Sequence, residues 1–471
     1  MYRKIMDFLE AWKENEHRKP LILQGARQVG KTYSILEFGR THYENVAYFN
    51  FETNPKLNET FEENISPDYL IPILSHIAGQ TIVREKTLIV FDEVQLCERA
   101  LTSLKYFCEN APDYHIIVAD SLLGVAVNRA KFSFPVGKVD MKTLYPMDME
   151  EFMLALGEDD LVKQIKECFQ TDTPLPSALH DAAMQLYRQY LVVGGMPECV
   201  IQFAETKDYI LVRHTQDTIL VSYLNDMSKY NNLNEIKKTR LAYDNITVQL
   251  SKKNTRFQYK LIKKGGRASE FENAIEWLCL SGIVSQVYKV EQIKKPLENY
   301  RDIDAFKIYV SDLGLLCAKK DLAANDILYM VEEINDFKGG MAENYVNVQL
   351  SINGYHTYYW QSARGAEIDF IIQRDGQLIP IEVKSADNTR AKSLKVYMDT
   401  YKPARPETSA LRITKKSFRS MPHFVSDGTN VLANTLSTHP TFSAPSGSGR
   451  SRIASLNTLL PGHPGQHRPD D

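Results

Sequence analysis

Apolar residues in the first third of the chain come in short runs, separated by stretches with helical periodicity. Runs that are apolar on both faces of the predicted strand are typical of a parallel sheet with helices on both sides. We therefore predict an α/β domain over residues 1–150. The runs are LIL from Leu21, VAYFNF from Val46, TLIVF from Thr87, HIIVA from His115 and VDMKTLYP from Val139.

The second stretch, residues 151–325, is mostly helical in periodicity. Apolar residues recur at helical spacing from Phe271 to Leu278, and Ser269 and Glu272 have the spacing of a capping box at the start of that helix. After Gly282 the chain becomes β-branched, which predicts a hairpin. A helix followed by a hairpin is consistent with a winged helix, although this order is common in other folds.

A third stretch, residues 326–420, predicts a small α/β domain. A helix from Met341 leads into the apolar runs YHTYYW, EIDFIIQ and LIPIEVKS, and Asp375-Gly376 between the last two is a strong hairpin signal. From about residue 421 the composition shifts to Ser, Thr, Pro, Gly and His. Such a segment buries little apolar surface, so residues 421–471 are predicted to be disordered.

The composition is that of a globular protein and argues against a uniformly basic nucleic-acid-binding protein, a secreted protein and a membrane-spanning protein. The 471 residues are too many for one ordinary core, and 43% are hydrophobic and 24% charged. A net charge of -3 argues against a uniformly basic nucleic-acid-binding surface, so any such contact needs a local patch. The six cysteines form no CxxC pair, and neither a signal peptide nor a long apolar span is visible. We expect a cytoplasmic protein without a membrane partner.

The turn after the first predicted strand fits the phosphate-binding pattern G-x-x-x-x-G-K-[ST] completely. Its glycines let successive backbone amides face phosphate oxygens at the start of the next helix. Lys31 would reach the β- and γ-phosphates of ATP, and the Thr32 hydroxyl would ligate Mg²⁺. A chance Gly-rich turn is the alternative, but such a turn needs no Lys-Thr pair. The predicted nucleotide-binding residues are Gly25, Ala26, Arg27, Gln28, Val29, Gly30, Lys31 and Thr32.

Two carboxylates end the third predicted strand. The run TLIVFDE places Asp92 and Glu93 at the carboxyl end of a buried strand, where ligands bind in an open α/β sheet. Asp92 would help to hold Mg²⁺, and Glu93 would polarise the attacking water; the alternative is that both cap the next helix. Ser121 lies just beyond the fourth strand, where AAA-type ATPases, which this part of the chain resembles, have a polar residue that senses the γ-phosphate; a helix cap is the alternative. The sequence does not separate the arginine-finger candidates, which are Arg84, Arg99 and Arg129.

A second group of ionisable residues is predicted near the end of the chain. Strand alternation and the hairpin place Asp369, Glu382 and Lys384 on one sheet face, and Glu343 lies on the apolar stripe of the preceding helix. The carboxylates could hold Mg²⁺, and the lysine could orient a water for phosphodiester cleavage. The alternative is a polar face in which the carboxylates and lysines pair as salt bridges.

A basic run precedes the predicted winged helix. KLIKKGGRAS carries Lys260, Lys263, Lys264 and Arg267, which would either contact nucleic-acid phosphates or form a solvated loop.

The order of these segments resembles one family, the AAA-type ATPases of bacteria and archaea with a C-terminal domain of unknown function and a restriction-endonuclease-like, PD-(D/E)XK fold. The resemblance runs to about residue 415. It is carried by LILQGARQVGKT, YFNFE, TLIVFDEVQ, HIIVADSLLGV, TLYPMDMEEF, GGMPECV, YVSDLGLL, GGMAENYV, GAEIDFII and IPIEVKS. It implies ATP binding with Mg²⁺, a helical and winged-helix-like middle region, and a nuclease-fold C-terminal domain.

The chain departs from that family at two points. Asp120-Ser121 replaces a usual Gly-Ser pair, and Lys138 stands where an arginine often precedes the fifth strand. The first puts a negative charge near the γ-phosphate, and the second loses the bidentate fork of arginine.

The leading functional hypothesis is an ATPase whose hydrolysis drives or gates action on DNA. The second is a nucleotide-operated switch or scaffold with a silent nuclease fold, and the third is an ATP-independent nuclease. ATP is the expected ligand, DNA is the candidate partner, and the sequence leaves a homo-oligomer open.

Overall fold

The computed structural model describes residues 1–121, 135–171, 173–229, 233–252, 256–374, 376–384 and 392–401, with backbone alone for residues 121, 411–414 and 426–427. The candidate Arg129, the turn residue Asp375 and most of the C-terminal stretch lie outside this part.

The described strands occur in two sets separated by helices. They are β1 (Leu21–Gly25), β2 (Asn45–Asn50), β3 (Thr87–Asp92), β4 (His115–Ser121), β5 (Asp140–Thr143), β6 (Val284–Val290), β7 (Arg301–Val310), β8 (Tyr358–Gln361), β9 (Glu367–Arg374), β10 (Gln377–Val383), β11 (Leu411–Thr414) and β12 (Ser426–Asp427).

The described helices are α1 (Ile5–Glu14), α2 (Lys31–His42), α3 (Lys56–Glu63), α4 (Pro67–Ala78), α5 (Glu98–Asn110), α6 (Met149–Ala155), α7 (Asp159–Gln170), α8 (Ser177–Val193), α9 (Pro197–Thr206), α10 (Tyr209–Lys229), α11 (Leu233–Leu250), α12 (Tyr259–Ile262), α13 (Ala268–Leu280), α14 (Leu313–Lys319), α15 (Ala324–Leu328), α16 (Asn335–Ile352) and α17 (Lys392–Tyr401). None of the helices in the described ranges is long and apolar enough to span a membrane.

The first five strands form one parallel sheet in the order β2-β3-β4-β1-β5, as the apolar runs predict. All six residues of β3 are buried. Alternate residues of β3 belong to different apolar clusters, with Leu88 and Val90 in one and Ile89 and Phe91 in the other. The sheet is therefore covered on both faces. Since β4 lies between β1 and β3, the carboxyl ends of these three strands are neighbours.

The middle region begins with a helix whose start is fixed by side chains. Asp148 accepts a hydrogen bond from the Glu151 amide (2.9 Å), and the Glu151 carboxylate accepts one from the Asp148 amide (3.2 Å). The capping box predicted at Ser269 is wrong. The helix α13 starts at Ala268 with Arg267 as its N-cap, which makes no side-chain capping bond. Ser269 is already inside the first turn and is not in position to cap it.

The hairpin predicted after α13 is present, and its position was not foreseen. Strands β6 and β7 pair antiparallel, and β6 also pairs with β8. The result is a seven-stranded sheet in the order β12-β11-β10-β9-β8-β6-β7. One sheet therefore crosses the boundary that the sequence placed between residues 325 and 326. The β9–β10 hairpin is antiparallel as predicted, and Gly376 takes the left-handed conformation its turn needs (φ 72°).

Candidate functional site

The loop between β1 and α2 has the backbone of a phosphate cradle. Gln28 (φ 63°) and Gly30 (φ 90°) are left-handed, and a Cβ on Gly25 would lie 2.2 Å from the Leu144 carbonyl oxygen. The first amides of α2 have no partners within the helix, because its hydrogen bonding begins with the Ser34 amide donating to the Gly30 carbonyl (2.9 Å). These amides suit an anion.

Lys31 turns back onto its own loop. Its Nζ donates hydrogen bonds to the carbonyl oxygens of Gly25 and Ala26, each at 2.9 Å. Burial lowers the pKa of Lys31 to about 8, against the opposing pull of the carboxylates of Glu93, Asp120 and Asp92. The ammonium group thus lies where added negative charge would favour its protonated form.

Asp92 is held from three sides. The Thr32 hydroxyl donates to its Oδ2 (3.1 Å), the Tyr48 hydroxyl donates to the same oxygen (2.6 Å), and the Glu93 amide donates to Oδ1 (3.0 Å). The structure therefore brings together Thr32 and Asp92, the two side chains predicted to hold Mg²⁺ at the nucleotide site. Tyr48 was not among the predicted residues. The only signal for it was a polar hydroxyl within an otherwise apolar strand.

Glu93 has an unusual backbone and a fixed carboxylate. Its φ and ψ of 54° and 38° are left-handed, which is rare for a residue with a side chain. The Gln95 amide nitrogen donates to Glu93 Oε2. Backbone strain of this kind is concentrated at functional sites. Glu93 begins a single 3₁₀ turn without making a side-chain cap, which disfavours the helix-capping alternative.

The end of β4 carries the departure from the family pattern. Asp120 is buried, and its carboxylate acts on the pKa of Lys31. The backbone of Ser121 pairs with Gly25 of the phosphate-binding loop, and its side chain lies outside the described part, so its sensor role stays a prediction. Among the arginine-finger candidates, Arg84 pairs with Asp113 (3.3 Å), and Arg99 donates to the Phe61 carbonyl (2.7 Å).

The middle region touches the phosphate-binding loop directly. Arg27 Nε lies 2.7 Å from Asp226 Oδ2 on α10, and the Tyr223 hydroxyl donates to the Arg27 carbonyl (3.4 Å). From the opposite end of the chain, Arg3 donates to the Val29 carbonyl (3.1 Å). None of these contacts was foreseen, because each joins residues remote in sequence. The loop's conformation is therefore linked mechanically to a helix of the middle region.

The C-terminal carboxylates surround a lysine, Lys307, that was not among the predicted site residues. Lys307 Nζ, on β7, lies 3.3 Å from Glu343 Oε2, 2.5 Å from Glu367 Oε1 and 3.9 Å from Asp369 Oδ1. Lys307 is only 1% exposed. The Tyr309 hydroxyl donates to Glu343 Oε2 (2.9 Å). A lysine inside the apolar run AFKIYV was the available signal.

The predicted pair of Asp369 and Glu382 lies on neighbouring strands. Phe370 pairs with Ile381, and the Val383 amide donates to Asp369 Oδ2 (2.7 Å). Glu382 is buried and pairs with Lys384 (2.9 Å). These carboxylates are therefore engaged in salt bridges, as in the alternative interpretation.

Burial raises the pKa of Asp369 to about 7, helped by the charge of Glu343 and opposed by Lys307. The same carboxylates hold the pKa of Lys307 well above its usual value despite its burial. Within the described ranges, no three His, Cys, Asp or Glu residues are grouped so that they could hold a metal ion. The predicted ligands Glu343, Asp369 and Glu382, as arranged here, do not fit a divalent metal.

The basic run is exposed, but acidic side chains lie beside it. Lys260, Lys263, Lys264 and Arg267 all face solvent, and Lys263 pairs with Glu270 (3.1 Å). The adjoining helix α13 exposes Glu272 and Glu276. These exposed carboxylates would repel phosphates near the basic run.

Comparison with known families divides the chain into three parts. Residues 17–153 match an AAA domain, residues 184–326 a domain of unknown function (DUF8612), and residues 338–428 another domain of unknown function (DUF4143). A search of curated proteins gives no match.

Several solved structures are distantly similar. A Walker-type ATPase of Pyrococcus abyssi is 14% identical with a TM-score of 0.41, covering 68% of this chain and 95% of that one. The RuvB Holliday junction branch migration motor of Thermotoga maritima is 15% identical (TM-score 0.27; 60% and 87% covered). The ORC2 protein of Aeropyrum pernix in its ADP form is 12% identical (TM-score 0.27; 72% and 94% covered).

The family match and the loop geometry agree on one part of the molecule. The unpaired first amides of α2, the half-buried Lys31 and the Thr32–Asp92 pair all lie within the matched range. Residues 17–153 therefore form a P-loop ATPase domain of the AAA type.

Proposed function

We propose that this protein hydrolyses ATP with the help of Mg²⁺ at the loop between β1 and α2. The arrangement of Thr32, Asp92 and Glu93 beside Lys31 carries the proposal. Thr32 and Asp92 would hold the ion, which when bound neutralises phosphate charge and fixes the phosphate oxygens. Lys31 gives up its two carbonyl partners and binds the phosphates instead.

In this proposal Glu93 positions and polarises the attacking water. Its left-handed backbone sets the direction of the side chain, and Gln95 fixes one carboxylate oxygen. Tyr48 keeps Asp92 turned toward Thr32. Hydrolysis then depends mainly on positioning and electrostatic stabilisation, which supply most of the catalysis in phosphoryl transfer.

We further propose that the nucleotide state is passed to the middle region through the pair of Arg27 and Asp226. Arg27 is a member of the phosphate-binding loop, and Asp226 lies on a 21-residue helix. When the loop rearranges around phosphates, the position of Arg27 changes. Its ion pair with Asp226 transmits that change to α10. Coupling of this kind needs two arrangements of a shared contact.

A second candidate is a nucleotide-operated switch or scaffold whose C-terminal domain does not cut DNA. The salt bridges of Lys307 and Lys384 favour it, because they engage the carboxylates that cleavage would require. DNA contact through Lys260, Lys264 and Arg267 remains a proposal, and the acidic face of α13 weighs against that helix as the reader of a groove.

The test is steady-state phosphate release by the purified full chain with Mg²⁺ and ATP, with and without duplex or single-stranded DNA. Lys31→Ala, prepared identically, is the control for contaminating ATPases. Hydrolysis that rises with DNA supports the DNA-coupled form, and hydrolysis indifferent to DNA supports the switch. ATP binding with no turnover above the Lys31→Ala background would sink the hydrolysis proposal.

A further inference from the structure

A buried ammonium group stands at the centre of the C-terminal carboxylate cluster. Its three carboxylate partners come from two elements, with Glu343 on α16 and Glu367 and Asp369 on β9. Tyr309 donates to the same Glu343 oxygen, and the Tyr359 ring centre lies 5.2 Å from Nζ. Lys307 thus has a shell of anionic oxygens with aromatic rings beside it, which is the environment of a bound cation.

We infer that Lys307 is a built-in cation that takes the place of a divalent metal in this cluster. Two of the predicted metal ligands, Glu343 and Asp369, direct oxygens to within 3.9 Å of Nζ. A metal bound to those oxygens at about 2.0–2.6 Å would lie within a few ångströms of a fixed positive charge. The lysine and the metal therefore compete for the same carboxylates.

The main chain holds this lysine firmly. Lys307 is paired with Val287 across the β6–β7 ladder, and on its other side it forms a bridge with Arg256. The side chain is almost wholly buried. A lysine on a surface loop could withdraw when a metal arrives, whereas this one is anchored within a seven-stranded sheet. Lys307 is therefore a permanent member of the cluster.

Glu382 is a further buried carboxylate, on the strand next to Asp369. Its side chain is 1% exposed, one oxygen pairs with Lys384, and Oε2 has no hydrogen-bond partner among the described residues. Its neighbour across the strands, Asp369, already accepts the Val383 amide and faces Lys307. Removal of the Lys307 charge would leave the negative charges of Glu343, Glu367 and Asp369 without their cation, and we expect a divalent ion to take the position of the ammonium group.

The inference predicts a gain of metal binding on loss of one lysine. In nucleotide-free full-length protein, Mn²⁺ binding is measured by electron paramagnetic resonance, together with the melting temperature with and without Mn²⁺. Lys307→Met should bind Mn²⁺ at least tenfold more tightly than the parent protein, and Mn²⁺ should raise its melting temperature. Adding Asp369→Asn should abolish both effects. Lys384→Met is the matched control, since it removes a lysine of the same region and leaves Lys307 in place.

A second variant protects the test against misfolding. Lys307→Met combined with Glu367→Gln removes one positive and one negative charge, and a melting temperature near that of the parent without Mn²⁺ reports that the chain is folded. This variant should also gain Mn²⁺ affinity. Two results would overturn the inference: Mn²⁺ binding in the parent protein that is lost in Asp369→Asn, or a folded charge-balanced variant with no gain. Neither readout depends on ATP hydrolysis.

Discussion

The lowered pKa of the half-buried Lys31 predicts that ATP binding consumes a proton at alkaline pH. In the free protein burial lowers its pKa to about 8, and its hydrogen bonds go to the neutral carbonyls of Gly25 and Ala26. Bound phosphates add negative charge beside the ammonium group and raise its pKa. The protonated form is then favoured in the complex, so affinity is greatest at low pH and falls as the pH rises above about 8.

The size of this effect follows from the pKa. Free Lys31 is about one-tenth deprotonated at pH 7, half at pH 8 and nine-tenths at pH 9, so ATP binding takes up about 0.1, 0.5 and 0.9 protons. Above pH 8 the binding constant should fall by about tenfold for each pH unit. Above pH 8 the γ-phosphate is fully ionised, so its own titration does not contribute there.

The assay is titration calorimetry in pairs of buffers with different ionisation enthalpies, which yields the number of protons taken up. Lys31→Arg is the matched control, because a guanidinium stays charged throughout this range and should show no uptake. A parent protein whose proton uptake stays near zero at pH 9 would refute the reasoning. Lys31 would then already be charged in the free protein, and burial would not dominate its pKa.

Three further changes test other parts of the molecule. Glu93→Gln should keep ATP affinity and lose about 10²-fold or more in turnover, measured as phosphate release; normal turnover would assign the water to another residue. Gly195→Ala would place a Cβ 2.0 Å from the Met147 carbonyl oxygen and should cost about 3 kcal/mol or more in urea unfolding, whereas Gly79→Ala, with nothing within 4 Å, should cost about 1 kcal/mol from its left-handed backbone alone. Ending the chain after Asp427, the last residue of β12, should leave the melting temperature within a few degrees, and a larger fall would show that the removed segment contributes to folding.

Local sequence determined the features that depend on neighbouring residues. The glycines and Lys31-Thr32 of the phosphate-binding loop lie within eight positions, and the strand before them ends where the pattern requires. An unbroken apolar run likewise placed Asp92 and Glu93 at the end of β3, and the Asp-Gly pair placed the β9–β10 hairpin around Gly376. Periodicity fixes which face a residue occupies and where an element ends, so these features were readable. The predicted cap at Ser269 was wrong because the spacing of a capping box does not exclude a helix that begins earlier, and this one begins at Ala268.

Only the tertiary structure decided which residues, remote in the sequence, each strand or helix face contacts. Tyr48 reaches Asp92 because β2 pairs with β3, and Arg27 meets Asp226 because α10 packs over the loop. Lys307 enters the C-terminal cluster because β6 pairs with β8, across a boundary that composition alone placed between two domains. Alternation gives the direction of a side chain and carries no information about partners remote in the chain. The sequence alone therefore predicted the nucleotide site, whereas the fold supplied the buried lysine that occupies the predicted metal site.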